Sequence, residues 1–232
     1  MDKVDTAAIP KKLPTGISCI DELTCGGVES GIITEIYGEG GAGKTNLCMQ
    51  YALSALKSGL SVLYMDSEGI SIERLGQVSG GNTEELRNLV VYRITSLEDQ
   101  DLSIIRLPKL IEKMENPGLV IIDSFTEYFR LEKSNDFQGR TSMMQKQLGA
   151  LNSLCSRTGI PVLITNQIYQ DIESGNLQPF GGFIIDHVMK AIYRIERIPG
   201  GKRRLSVIKH RSIKEDAGVP FRLTDFGISC EQ

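Results

Sequence analysis

The sequence predicts an α/β fold, a mostly parallel central sheet with helices on both faces, extended at its C-terminal end by antiparallel strands. Three observations predict it. Short apolar runs alternate with stretches of helical periodicity, as in right-handed strand–helix–strand units whose strands are buried on both sides. A glycine-rich turn joins the first apolar run to the first long helical stretch. After residue 187 the helical spacing gives way to two β-rich runs around Pro199-Gly200-Gly201-Lys202, a turn signal.

The elements follow in chain order. Ile32–Tyr37 is the first strand, and in Asn46–Lys57 the residues Leu47, Met49, Ala52, Leu53 and Leu56 recur at helical spacing until Gly59 ends the helix. Ser61–Asp66, Leu89–Ile94, Leu119–Asp123 and Pro161–Asn166 are further buried strands. Helices are expected near 73–79, 108–115 and 141–157, with Pro108 in a first turn, where its missing N–H costs little. His187–Ile198 and Arg203–His210 form a hairpin, and Phe221–Leu223 is another short strand. Glu132–Thr141 and Tyr169–Phe183 read as loops longer than a connection needs, which marks them as binding segments.

At 232 residues the chain is expected to form one domain: a lead-in over 1–30, an α/β core over 31–186 and an antiparallel extension over 187–232. Its 41% apolar and 24% charged residues exclude a disordered or fibrous chain. No apolar run is long enough for a membrane helix, and the first residues lack the hydrophobic core of a secretory signal. Five cysteines, an odd number without a Cys-x-x-Cys pair, disfavour structural zinc and a disulfide framework and fit a reducing cytoplasm. The net charge is −3, yet nine basic residues lie between Lys190 and Lys214 against the single acid Glu196. Screening over about 8 Å lets a polyanion feel that cluster more than distant acids. Lys202, Arg203 and Arg204 are therefore candidate DNA contacts, although lysines and arginines also guard exposed edge strands.

Gly38-Glu39-Gly40-Gly41-Ala42-Gly43-Lys44-Thr45 is a P-loop, set between an apolar strand and an amphipathic helix. Its glycines let backbone N–H groups turn inward around phosphate oxygens, Lys44 reaches the β and γ phosphates, and Thr45 ligates Mg²⁺. Asp123 closes an apolar strand, as the second carboxylate of a Mg²⁺ shell must. Glu68, just past another strand end, is placed to activate water for ATP hydrolysis, with Asp66 as its rival. Gln167, in the polar triplet Thr165-Asn166-Gln167, is placed to sense the γ-phosphate or simply to satisfy loop backbone.

These strand-end pieces, in this order, resemble the RecA/RadA recombinase ATPase family from about Leu13 to Ile228. Leu13-Pro14-Thr15-Gly16, Glu73-Arg74-Leu75 and Pro179-x-Gly181-Gly182 followed by His187 add to the likeness. The resemblance implies ATP and Mg²⁺ as cofactors, Asn46 beside the P-loop, Arg74 stacked on adenine, and Gln167 as sensor. It makes 132–141 and 169–183 the DNA-facing loops, with Arg140, Gly181 and Gly182 among their contacts, and couples His187 to the second loop. Lys209 and Arg211, on alternate strand positions facing one side, resemble the basic pair with which oligomeric relatives reach a neighbour's γ-phosphate.

The departures from the family pattern carry equal weight. Only 37 residues precede Gly38, so no separate N-terminal helical domain is expected; the filament-joining Phe-x-x-Ala is missing, with Val4-Asp5-Thr6-Ala7 a faint echo. Met144-Gln145 stands where the family has Arg-Gln. The chain thus looks most like the short archaeal accessory members of the family: an ATP- and DNA-binding factor of recombination and repair, with weak ATPase and little strand exchange. That likeness implies single-stranded or branched DNA, a partner recombinase of the RadA type, a Holliday-junction nuclease and a homo-oligomer as partners, and no membrane. The alternatives are a self-sufficient strand-exchange recombinase and a KaiC-like regulatory ATPase.

Overall fold

The computed structural model describes residues 11–132, 136–170 and 177–231. Val4–Ala7 and parts of both long loops, 133–135 and 171–176, lie outside the described residues. The chain runs β1 (Lys12–Leu13), α1 (Ser18–Leu23), β2 (Val28–Glu29), β3 (Ile33–Gly38), α2 (Lys44–Lys57), β4 (Ser61–Asp66), α3 (Ile72–Val78), β5 (Leu89–Arg93) and α4 (Leu97–Ile111). It continues through β6 (Pro117–Asp123), α5 (Glu127–Leu131), α6 (Phe137–Thr158), β7 (Val162–Gln170), β8 (Leu177–Pro179) and α7 (Gly182–Val188). The strands β9 (Ala191–Ile198), β10 (Lys202–His210), β11 (Gly218–Thr224) and β12 (Gly227–Cys230) close the chain.

One ten-stranded sheet has the order β12-β11-β10-β9-β3-β7-β6-β4-β5, with β8 paired to β7. Strands β9, β3, β7, β6, β4 and β5 are parallel, and β9 to β12 are mutually antiparallel. Alternation puts one set of side chains on each face. Val62 and Tyr64 of β4 join a cluster with Leu47 and Tyr51 of α2, while Leu63 and Met65 join Phe125, Phe129, Leu148 and Leu151 on the opposite face. Both faces are covered, so the strands read as continuous apolar runs rather than alternating ones.

Register sets the site. Gly38 pairs with Gln167 and Asp66 with Asp123, so the P-loop, both acids and the sensor candidate emerge at the same edge of the sheet. At Gly38 the backbone of β9 approaches so closely that a Cβ would lie 2.2 Å from the carbonyl oxygen of Ile195. Gly38→Ala is expected to cost about 1–3 kcal/mol, read by denaturant unfolding, because neither backbone can yield without breaking the ladder. Wild-type stability in that variant would mean β3 and β9 part easily.

Several elements differ from expectation. The helix placed at 108–115 is the end of a longer one, α4, and Pro108 sits in its last turn. Ser96 caps its start by accepting from the Asp99 N–H. Buried Gln100, which donates to the Phe125 carbonyl and to Gln147, breaks the apolar periodicity that would have revealed that start. Likewise α6 begins at Phe137, where Asp136 accepts from the Gly139 N–H, so 137–141 are helix rather than loop. His187 belongs to α7, not to a strand, and its exposed ring stacks on Phe183 at 5.8 Å. Cys19 and Cys230, 211 residues apart, form a disulfide between α1 and β12. Parity and local spacing cannot reveal a pair that only the fold brings together.

Candidate functional site

The site grows out of the turn between β3 and α2. Gly41 and Gly43 take positive φ angles of 69° and 114°, which favour glycine and turn the loop back around its own backbone. Inside, the Lys44 ammonium donates to the carbonyls of Gly38 and Glu39, both at 2.9 Å. Burial pulls its pKa below the ordinary lysine value, and the nearby carboxylates of Glu68 and Asp123 oppose that shift. Glu39, Gly40, Ala42 and half-buried Thr45 complete the turn and the first helical residues. The C-terminal extension braces its outside: Arg197 donates to the Gly40 carbonyl at 2.8 Å, and a Cβ on Gly43 would meet Leu223 at 3.3 Å.

Opposite the loop, Asp123 is buried and both its oxygens accept hydrogen bonds, from the Tyr64 hydroxyl at 2.6 Å and the Thr165 hydroxyl at 2.5 Å. Its carboxylate is held in one orientation from the strands on either side. A carboxylate and the Thr45 hydroxyl are hard oxygen donors, a set that suits Mg²⁺ completed by water and phosphate oxygens. Among the described residues no group of three or more His, Cys, Asp or Glu could hold a metal ion by itself. The residues present therefore fit Mg²⁺ brought by a nucleotide.

The two acids of β4 and its following turn divide clearly. Asp66 accepts from the Gly69 and Ile70 N–H groups and from Arg93, each at 2.8 Å, and so is consumed by the turn. Glu68 projects over the loop and accepts from the Gln167 amide at 2.6 Å. Desolvation raises its pKa, partly offset by that hydrogen bond. On its other side Gln167 accepts from Arg130 of α5 at 2.5 Å, and Arg130 also pairs with Glu127 at 3.2 Å. Sequence reading passed over Tyr64, Arg197 and Arg130. The position of Arg130, seven residues beyond the strand-ending Asp123 and so within reach of the same edge of the sheet, was the available signal for one of them.

On α3, Arg74 donates to Asn46 and Gln77 and to the carbonyls of Thr224 and Asp225 in the β11–β12 turn. Its edge nitrogens are engaged, which leaves the planar face of the guanidinium as the surface able to stack on an aromatic ring.

The remaining candidates scatter. Gly181, Gly182 and Arg140 come together around an apolar cleft of about 280 Å³ walled by Phe137, Tyr169 and Phe180. Lys202 pairs with Glu231 at 2.5 Å, Arg203 bonds the Gly201 carbonyl, and Arg204 reaches Ser206. The basic run is thus partly neutralised by an acid distant in sequence. A bulge between Val207 and Lys209 interrupts the alternation of β10. Lys209 turns to Asp186 of α7 and Arg211 to Glu29 of β2, so the two do not act side by side. Lys209 and His210 pair with Ile192 and Ala191, whose β3 partners are Glu35 and Thr34, at the end of the sheet away from the P-loop.

The comparisons agree with this architecture. The chain is 51% identical to the DNA repair and recombination protein RadB of Thermoplasma volcanium, covering 100% of this chain and 97% of that one. It is 49% identical to the protein of the same name from Thermoplasma acidophilum, over 100% of each. A solved structure titled as a crystal structure of the RadB recombinase superposes with a TM-score of 0.80 at 30% identity, covering 95% of this chain and 100% of that one. The Rad51 family model matches residues 10–231, and with the P-loop, its facing carboxylates and this sheet order in place, the chain belongs to the Rad51 family.

Proposed function

We propose that this chain is an ATP- and DNA-binding accessory factor of homologous recombination and repair in the cytoplasm, with weak ATPase and little strand exchange of its own. The observation that carries the reading is the convergence of Lys44, Thr45, Asp123, Glu68 and Gln167 at one edge of the sheet. The names of the RadB relatives support the recombination role. Thr45 and Asp123 would hold Mg²⁺, which when bound neutralises developing charge on the phosphates. Lys44 and the loop N–H groups hold the triphosphate, Glu68 takes a proton from water, and Arg74 fixes the base. The Gln167 amide holds Oε1 of Glu68, which orients the carboxylate and leaves Oε2 as the oxygen to take the proton from water.

The DNA surface comprises the 199–204 hairpin and the cleft beside Gly181, Gly182 and Arg140. Lys209 and Arg211, remote from their own P-loop, could serve only a neighbouring protomer. Weak strand exchange accords with their being held by Asp186 and Glu29. Binding to a labelled single strand is expected to weaken steeply between 50 and 200 mM salt, as is typical when several phosphates are contacted. Neutralising Lys202, Arg203 and Arg204 should flatten the log–log slope by about 2, three contacts at about 0.7 each. A slope the triple variant leaves unchanged would move the DNA elsewhere. Strand-exchange assays and filament imaging with ATP and DNA test the accessory role directly: robust exchange by the chain alone would make it a recombinase in its own right.

A further inference from the structure

Phosphoryl transfer needs positive charge near the γ-phosphate beyond that of the P-loop lysine, and the basic pair of β10 lies at the far end of the sheet. Other arginines around the site are committed: Arg93 to Asp66, Arg74 to Asn46 and the β11–β12 turn, Arg197 to the outer wall of the P-loop. Arg130 differs. It stands on α5, one short turn after Asp123, and its charge is felt at Lys44. Its side chain is about one-third exposed, and among the described residues both of its bonds use the same nitrogen, Nη1, toward Gln167 and Glu127.

We propose that Arg130 is the cation that reads the γ-phosphate in the chain's own nucleotide site. The inference rests on the P-loop binding ATP, as argued above. Gln167 is the hinge of the arrangement: its amide nitrogen donates to Glu68 and its oxygen accepts from Arg130, so one side chain bridges the acid and the cation. A γ-phosphate arriving between Lys44 and Gln167 offers Arg130 an anionic acceptor in place of a neutral amide, one whose oxygens the guanidinium fork can bind bidentately. The guanidinium fork keeps Nη2 and Nε for those oxygens. Turning the Nη2 and Nε edge onto phosphate swings Nη1 away from the Gln167 oxygen, and the Gln167 amide becomes able to leave Glu68. The same displacement would release Oε1 of Glu68 as well and shift α5. A diphosphate has no group at that position and leaves the Glu68–Gln167–Arg130 chain closed.

The test is calorimetric titration of the full chain with Mg²⁺ and either ADP or the non-hydrolysable β,γ-imido analogue of ATP. Arg130→Met is expected to lose about ten- to hundredfold in affinity for the triphosphate, as for loss of one hydrogen bond to a charged group. Its ADP affinity should stay within about twofold of wild type, since a group that touches only the third phosphate makes no difference to a ligand lacking it. Arg130→Lys, which restores a point charge without the fork, should recover part of the loss and serves alone if Arg130→Met fails to fold. Equal losses for both nucleotides, or none for either, would overturn the proposal and leave Arg130 a structural brace for α5. Wild-type protein that binds neither nucleotide would instead sink the P-loop reading itself, an outcome distinguishable from the other two.

Discussion

Lys44→Ala is expected to abolish most nucleotide binding, with affinity for ATP falling by about 100-fold, while the protein stays folded. The ammonium sits inside the loop on the carbonyls of Gly38 and Glu39, in the position that β and γ phosphates would share. Each charge-assisted contact contributes about 1.5–3 kcal/mol, so losing contacts to two phosphates, about 3 kcal/mol at the lower bound, already accounts for the 100-fold fall. Folding should not suffer, because burial already works against this charge, and alanine is a strong helix former at the start of α2. Calorimetry with Mg²⁺-ATP and thermal melting of the same sample check both halves. Affinity equal to wild type would place the nucleotide outside the loop.

Glu35→Gln is expected to stabilise the protein by about 3 kcal/mol at pH 8 and to change little at pH 4.5. Glu35 is buried on β3, where desolvation raises its pKa from 4.5 to about 7; the Asn166 hydrogen bond at 2.7 Å and Lys209 oppose the rise, and Asp186 adds to it. The sign follows from linkage. Between those two values the folded chain holds a proton that the unfolded chain has released, so this group's contribution is full below pH 4.5 and is lost as pH rises through 7. At about 1.4 kcal/mol per pKa unit the span amounts to about 3 kcal/mol. Glutamine keeps an oxygen for Asn166 and has no charge to desolvate. Denaturant unfolding at pH 4.5, 6 and 8 should show the two proteins diverging with pH; parallel curves would contradict the assignment. Asn166 also donates to the Phe180 carbonyl, so this carboxyl is linked to the loop that precedes α7 by two hydrogen bonds through one side chain.

What could be read in advance follows from how local each signal is. The P-loop, Asp123, Glu68 and Gln167 are strand-end residues, and the strands they end are apolar runs that burial on both faces makes conspicuous. Polar residues within helices hide their starts instead: buried Gln100 masks the first half of α4, and exposed Gln138 and Gly139 conceal the start of α6. Charge counted along the chain overstated the basic run, because Glu231, Asp186 and Glu29 arrive from elsewhere to meet Lys202, Lys209 and Arg211. The choice between Asp66 and Glu68 needed the turn geometry, where two backbone N–H groups and Arg93 occupy Asp66. The disulfide between Cys19 and Cys230 needed the whole fold.

The position of β3 in the sheet has a consequence for synthesis of the protein. Its neighbours are β7 and β9, so Ile33 must await Val162 and Thr34 must await Ala191 before the strand carrying the P-loop gains a partner on either side. Closing such long stretches of chain makes assembly slow. On the ribosome the nucleotide turn emerges early and stays without its frame until most of the polypeptide has been made.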